Sequence, residues 1–297
     1  MKRFFLLSLI FTLIFPFFSC NSNTVYPSND SFPALTMSAS HAFIYDLDND
    51  ELTLFSAEDD DRVYPASITK LLTALLALEI LPPEYEITPG NEVYLPPKNS
   101  SSAFIRPHHT LTLEMLIEAM IIPSGNDAAY AVAAACGRAL ENDDSLNYER
   151  AVARFVSEMN TYAASIGCTG SNFTTPDGFA GSDHYSTTAD IALISKKASE
   201  SEIIMKYAAM FKDDVVYSSG HTNTWTNTNA QLDSDSKFYN KSVVGLKTGS
   251  LEGSYSLVTV YDTRNARFII GVFGSDNENS RYNDTQTLIN EVLNNTK

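Results

Sequence analysis

Cysteine and tryptophan are scarce in this chain, with three and one respectively in 297 residues. One cysteine, Cys20, ends an N-terminal apolar segment, which leaves Cys136 and Cys168. A small scaffold stapled by several disulfides is therefore excluded, and the remaining pair is either two buried thiols or one disulfide. No Cys or His residues stand at zinc-ligand spacing, so neither a metal nor another cofactor is expected. Basic residues are also few, 20 against 36 acidic ones. That balance excludes nucleic acid as a partner, since phosphate binding needs basic patches. No internal repeat is present, and the chain is long enough to bury a full core.

The N-terminus carries Lys2 and Arg3, then a run from Phe4 to Phe18 that is apolar apart from Ser8, Thr12 and Pro16. Such a run is shorter than the roughly 18 residues needed to cross a bilayer and has the plan of a secretory signal. Residues 1–20 are thus expected to direct export to an extracytoplasmic location. Phe17-Phe18-Ser19-Cys20 resembles a bacterial lipobox, which implies lipidation of Cys20 and attachment to a membrane face. Polar residues 21–36 are expected to form a flexible tether, and 37–297 the functional domain.

Alternating runs at His41–Leu47 and Glu51–Ser56 around Asp48-Asn49-Asp50 predict a β-hairpin. After Pro65 a helix is apolar on every side through Leu71–Leu78, which places it in the middle of a domain. Further helical patterns cover Leu111–Ile122, Asp127–Ala139 with Asn126 as its cap, Tyr148–Ile166 and Thr188–Met210. Strand patterns return at Ser242–Thr248, Ser254–Asp262 and Arg267–Gly274, with a turn at Thr263-Arg264-Asn265, and a helix closes the chain over 281–294. Strands from both chain ends around a helical middle predict an α+β, three-layer fold: one antiparallel sheet flanked by helices, with a helical subdomain.

Ser-x-x-Lys occurs twice, at Ser67–Lys70 and Ser234–Lys237. Residues i and i+3 share a helix face, so the Lys70 amine can reach the Ser67 hydroxyl. An amine takes a serine proton only when neutral, which requires an apolar setting or a neighbouring cation. The buried helix supplies that setting, whereas Ser234–Lys237 lies in an acidic, polar stretch. Ser124-Gly125-Asn126 falls at a break between two helices and reads either as a capping turn or as a hydroxyl and an amide held for proton transfer and substrate binding. Lys247-Thr248-Gly249 ends a strand, where a lysine can bind a carboxylate and the backbone can pair with a peptide.

The order Ser-x-x-Lys, Ser-x-Asn, Lys-Thr-Gly resembles that of the penicillin-recognising serine enzymes. The stretches PASITKLLTALLALE, LTLEMLIEAMIIPSGNDAA, PDGFAGSDHYSTTADIALIS and VVGLKTGS are similar to those of low-molecular-mass D-alanyl-D-alanine carboxypeptidases, from about residue 38 to the end. The resemblance implies Ser67 as acylated nucleophile, Lys70 as general base and Ser124 as an aid to leaving-group protonation. Asn126 would hold the substrate backbone, with Gly249 allowing it to pair along the strand, and Lys247 and Thr248 would hold its carboxylate end, with Arg281 assisting. Backbone N–H groups of Ser67 and Ser250 would form the oxyanion hole. The implied substrates are peptidoglycan stem peptides, and the implied inhibitors are β-lactams.

The same residues also suit an endopeptidase cutting cross-links. A class A β-lactamase needs a Glu-x-x-x-Asn arrangement, which Glu149, Glu158, Glu200 and Glu202 all lack. A non-catalytic wall-binding lipoprotein is the reading from another class. Relatives often carry a further β-rich domain, expected to be absent here, and Ser250-Leu-Glu-Gly-Ser-Tyr departs from their usual run. His108-His109 is expected to be a solvated loop. His184 is expected to be structural, and neither His221 nor Trp225 is given a role.

Overall fold

A computed structural model describes residues 24–26, 34–56, 62–263 and 266–295. The expected signal segment, Cys20 and the centre of the turn at 263–265 lie outside the described residues. Two short strands open the described chain, β1 (Thr24–Tyr26) and β2 (Leu35–Met37), paired antiparallel. They fall within and at the end of residues 21–36, the expected tether. Leu35 and Met37 are buried, and their strand recruits the β-prone Thr-Val-Tyr run upstream.

The predicted hairpin is β3 (His41–Asp46) and β4 (Glu51–Ser56). A two-residue strand β5 (Arg62–Val63) leads into a 3₁₀ turn at Ala66–Ile68 and then α1 (Thr69–Ile80). Every α1 residue from Thr69 to Ala77 is buried, as a helix apolar on all sides demands. Strands β6 (Glu86–Ile87) and β7 (Leu111–Thr112) pair and bracket a long loop. Next come α2 (Leu113–Ile121), α3 (Asn126–Glu141) and α4 (Tyr148–Ser165). Asn147 caps α4 by accepting from Arg150 N at 2.9 Å.

The helix expected over 188–210 is two helices. Strand β8 (Ser186–Thr187), paired with β5, precedes α5 (Thr188–Ser199) and α6 (Glu202–Ala208). The break falls at Ser201, whose side chain accepts from Ile204 N and caps α6. A hairpin of β9 (Lys212–Val216) and β10 (Thr222–Thr226) follows where no strand was expected. Its sequence, Lys-Asp-Asp-Val-Val against Thr-Asn-Thr-Trp-Thr, is β-prone but not apolar, so hydrophobic alternation does not reveal it.

Strands β11 (Val243–Leu251), β12 (Ser254–Asp262) and β13 (Arg267–Ser275) and helix α7 (Glu278–Asn295) complete the fold. The main sheet runs β11-β12-β13-β3-β4 and is antiparallel throughout, so both chain ends build it as expected. Side chains alternate across it. Ala42, Ile44, Phe268, Ile270 and Val272 face a core shared with Leu288, Ile289 and Val292 of α7. Phe43, Tyr45, Ile269 and Phe273 face the larger core shared with α1 to α6. The result is three layers, with α7 on one face and the helical body on the other. Ser275, at the end of β13, ties the sheet to this helix, its hydroxyl donating to Asp284 of α7 at 2.7 Å. Lys237, of the second Ser-x-x-Lys, is exposed.

Candidate active site

The site forms where the 65–68 turn, the α2–α3 break and strand β11 meet. The turn is pressed from two sides. A Cβ on Gly249 of β11 would stand 2.7 Å from Pro65 O, and one on Gly178, at φ +79°, would stand 1.8 Å from Ala66 O. Only glycine permits either approach. Ala66 itself is left-handed at φ +49°, as is Ser124 at φ +61°. A non-glycine residue held there costs about 1–3 kcal/mol and persists because its surroundings over-determine it.

Lys70 Nζ donates to Ser67 Oγ at 2.9 Å and to Asp177 O at 3.1 Å. Lys70 is fully buried, and burial pulls its amine down to about 8 against the upward pull of the Asp177 and Asp127 carboxylates. An amine so placed is ammonium for part of the time and free base for the rest. In the free-base form the contact offers a nitrogen lone pair to the serine proton. Lys247 is likewise buried, and burial holds it well below the ordinary lysine range, followed by the charges of Lys70 and Arg281.

Asn126 does not cap α3. Gly125 occupies the cap position without a side-chain bond, and Asn126 is the first helical residue. Its Oδ1 is buried without a hydrogen-bond partner, a group that folding leaves available for a bound donor. Its backbone N donates to Ser101 O at 2.9 Å, tying the 101–110 loop to the break.

Thr248 shares a 2.5 Å hydrogen bond with Thr228, whose backbone N donates to Ile122 O at 3.3 Å. Thr228 therefore joins the third motif to the second, a residue that nothing in the sequence singled out. Arg281 is brought to the same strand end. Its Nη1 donates to Ser250 Oγ at 2.9 Å and Gly249 O at 3.4 Å, its Nη2 pairs with Glu278 at 2.9 Å, and its Nε is left unpartnered. The Arg281 guanidinium and the buried Lys70 and Lys247 amines suit a carboxylate ligand, whose charge would favour their ammonium forms.

Two further residues brace the pair. Asp177 supplies the carbonyl under Lys70 and keeps one carboxylate oxygen, Oδ2, buried and unbonded. His184 accepts from Thr174 N at Nδ1 (3.1 Å), so its Nε2–H donates to Thr69 Oγ1 at 2.9 Å. Burial, then the charge of Lys70, pulls His184 down to about 4, so it holds this loop as a neutral ring. Its expected structural role agrees with these bonds. Cys136 and Cys168 are both buried and free, and burial pushes the Cys168 thiol up to about 12.

The sequence profile of Peptidase_S11, D-alanyl-D-alanine carboxypeptidase, matches residues 27–277. A D-alanyl-D-alanine carboxypeptidase of Bacillus subtilis (strain 168) is 29% identical over 233 residues, covering 77% of this chain and 55% of that protein. One from Streptomyces sp. (strain K15) is 29% identical over 252 residues, covering 80% and 81%. Against several of these relatives, then, the chain spans about half their length. Among solved structures, penicillin-binding protein D2 of Listeria monocytogenes in its ampicillin-bound form superposes with a TM-score of 0.69 at 26% identity, over 88% of this chain and all of that one. The Streptomyces K15 DD-transpeptidase gives 0.76 at 25% identity, over 88% and 98%.

Proposed function

The chain belongs to the D-alanyl-D-alanine carboxypeptidase family Peptidase_S11, and from that membership we propose that it is a serine-type DD-carboxypeptidase acting on peptidoglycan stem peptides. The observation that carries this reading is the 2.9 Å contact between Ser67 Oγ and a fully buried Lys70 amine whose pKa lies near neutrality.

In the reaction, neutral Lys70 takes the Ser67 hydroxyl proton while Oγ bonds to the carbonyl carbon of the penultimate D-Ala. The carbonyl π electrons move onto oxygen, facing the Ser67 and Ser250 backbone N–H groups, where each such donor is worth about 2.7–4 kcal/mol in the transition state. The carbonyl re-forms as the C–N bond breaks, and the leaving amine of the terminal D-Ala gains the proton with help from Ser124. Water then bonds to the acyl carbon, giving a proton to Lys70, and Ser67 Oγ leaves with that proton. The terminal carboxylate is held by Lys247, Thr248 and Arg281, and the peptide backbone by Asn126 and Gly249. A β-lactam would acylate Ser67 in the same way, but its amine stays attached to the acyl group.

Incubation with ampicillin, followed by intact-mass measurement and peptide mapping, tests the reading. The expected outcome is one adduct per chain on the peptide holding Ser67. Neither adduct nor drug consumption would remove it, and fast consumption without an adduct would shift it to a β-lactamase. The Streptomyces K15 structures are of a DD-transpeptidase, so acyl transfer to an amine is the second reading. Adding glycylglycine to a D-Ala-D-Ala peptide assay separates the two by product.

The same reading includes export directed by residues 1–20, lipidation of Cys20 and an extracytoplasmic membrane-attached location. Among the described residues no helix is long and apolar enough to cross a membrane. Cys20→Ala is expected to move the exported chain from the membrane fraction to the soluble one, as fractionation of expressing cells would measure. An unchanged distribution would sink the lipid anchor.

A further inference from the structure

Three histidines with no part in the acylation chemistry converge on the rim of the site. His108 and His109 lie in the loop before β7, and His221 lies in the turn between β9 and β10. Sequence spacing hides the group, because the third member is more than a hundred residues from the first two. His109 is not solvated as expected: it is 8% exposed and packs edge-on against Tyr217 at 5.1 Å between ring centroids. The other two rings are exposed and sit against it, His221 at 4.4 Å and His108 at 4.7 Å. One ring nitrogen from each of the three lies within 4.8 Å of the others.

We propose that His108, His109 and His221 form a binding site for a divalent transition metal of the zinc class, which clips the 101–110 loop to the β9–β10 hairpin. Imidazole is a ligand for zinc, copper, nickel and iron, and three imidazoles with an open fourth position are a recognised zinc arrangement. Zinc–nitrogen bonds of 2.0–2.1 Å in a tetrahedron place the nitrogens about 3.3 Å apart. The present 4.8 Å envelope closes to that by side-chain rotation of the two exposed rings.

A supporting shell is in place for His221, whose Nδ1 shares a 3.2 Å hydrogen bond with Ser219 Oγ. Ser219 also accepts from Thr110 N at 3.0 Å, so it already links the two segments. Orientation of a ligating histidine through its other nitrogen is the usual device at metal sites. His109 must yield something: its Nδ1 accepts from Arg106 N at 3.1 Å, which places its proton on Nε2. Binding through Nε2 moves that proton to Nδ1, and the bond from Arg106 is lost. With Arg106 beside the cluster and no carboxylate in it, charge alone would repel a hard cation. Coordinate bonds must do the holding, which selects zinc-like ions over calcium or magnesium.

The clip would bear on the active site through the backbone. Ala103, in the same loop, accepts from Asn223 Nδ2 at 2.9 Å and Trp225 Nε1 at 3.2 Å of β10 and donates to Asp127 at 2.8 Å. Fixing the loop to the hairpin thus fixes the wall beside Asn126.

The test uses the full chain without an affinity tag, stripped with chelator and titrated with Zn²⁺ or Co²⁺. The expected results are one metal per chain, four-coordinate cobalt absorption and a melting temperature raised by roughly 5 °C at saturation. The H108A/H221A double variant alters only exposed rings and is expected to lose all three responses. Failure of the wild type to bind would overturn the proposal. So would equal binding by the double variant, or an equal response to Ca²⁺.

Discussion

Lys70→Met is expected to slow acylation of Ser67 by at least about 10³-fold, within the range a positioned base contributes together with its substrate-facing charge, while leaving the protein more stable. The first effect follows from the lone pair that the 2.9 Å contact offers. The wild-type acylation rate should fall about tenfold per pH unit below 8 and level off above it, because Lys70 acts as base only when neutral. Stopped-flow acylation by a chromogenic β-lactam measures both. A variant within tenfold of wild type would remove Lys70 from the base role.

The stability effect has the opposite sign because the folded state holds Lys70 below its ordinary 10.5. Between pH 8 and 10.5 the unfolded chain binds more protons than the folded one, so wild-type stability climbs with pH across that window. Below pH 8 the full penalty applies. A depression from 10.5 to about 8 corresponds to roughly 3 kcal/mol. Methionine escapes that penalty but forfeits the bonds to Ser67 and Asp177, leaving a gain of about 1–2 kcal/mol near pH 7. The gain should shrink as pH approaches 10.5. Thermal melts of both proteins across this range would show it, and a destabilised variant would mean that the ammonium is net favourable where it stands.

What the sequence disclosed here depends on how far each signal is local. The all-round apolar helix α1 and the alternating edges of β3 and β11–β13 are set by nearest neighbours and were legible. So was the burial of Lys70 against the exposure of Lys237, since the apolar setting that depresses an amine is written beside the first. Asn126 looked like a cap because its residue type favours that position. The break instead turns on Ser124 and Gly125, which push Asn126 one place into the helix. Thr228, the 212–226 hairpin and the histidine cluster are products of chain segments meeting across long separations. A polar, threonine-rich strand leaves no hydrophobic period to detect, and no local pattern records what it will pack against. Asp127 belongs to the same class, since it reads as an ordinary acidic residue in a first helical turn.

Its structural position makes Asp127→Asn the second large effect. The carboxylate is buried and accepts from Ala103 N at 2.8 Å, Ile105 N at 2.9 Å, Ser102 Oγ at 2.6 Å and Ala128 N at 3.0 Å. Three of these donors are backbone amides that cannot turn away. An asparagine must aim its own NH₂ at one side of that set, so at least one donor faces another donor. The expected cost is about 2–4 kcal/mol, that of a buried charged acceptor lost from a network. The loop it anchors also lines a cleft of about 280 Å³ with Ser101, Ser102, Phe104 and Arg106, and Ser101 bonds to Asn126. Loosening that wall by about an ångström is expected to lower kcat/KM roughly 10²-fold. A second signature separates this from simple unfolding. The Asp127 charge helps hold Lys70 up, so its removal lowers the Lys70 pKa further. The pH at which acylation levels off should then move below the wild-type value. An acylation profile superimposable on wild type, in a chain that still melts cooperatively, would show that Asp127 braces the loop without tuning the base.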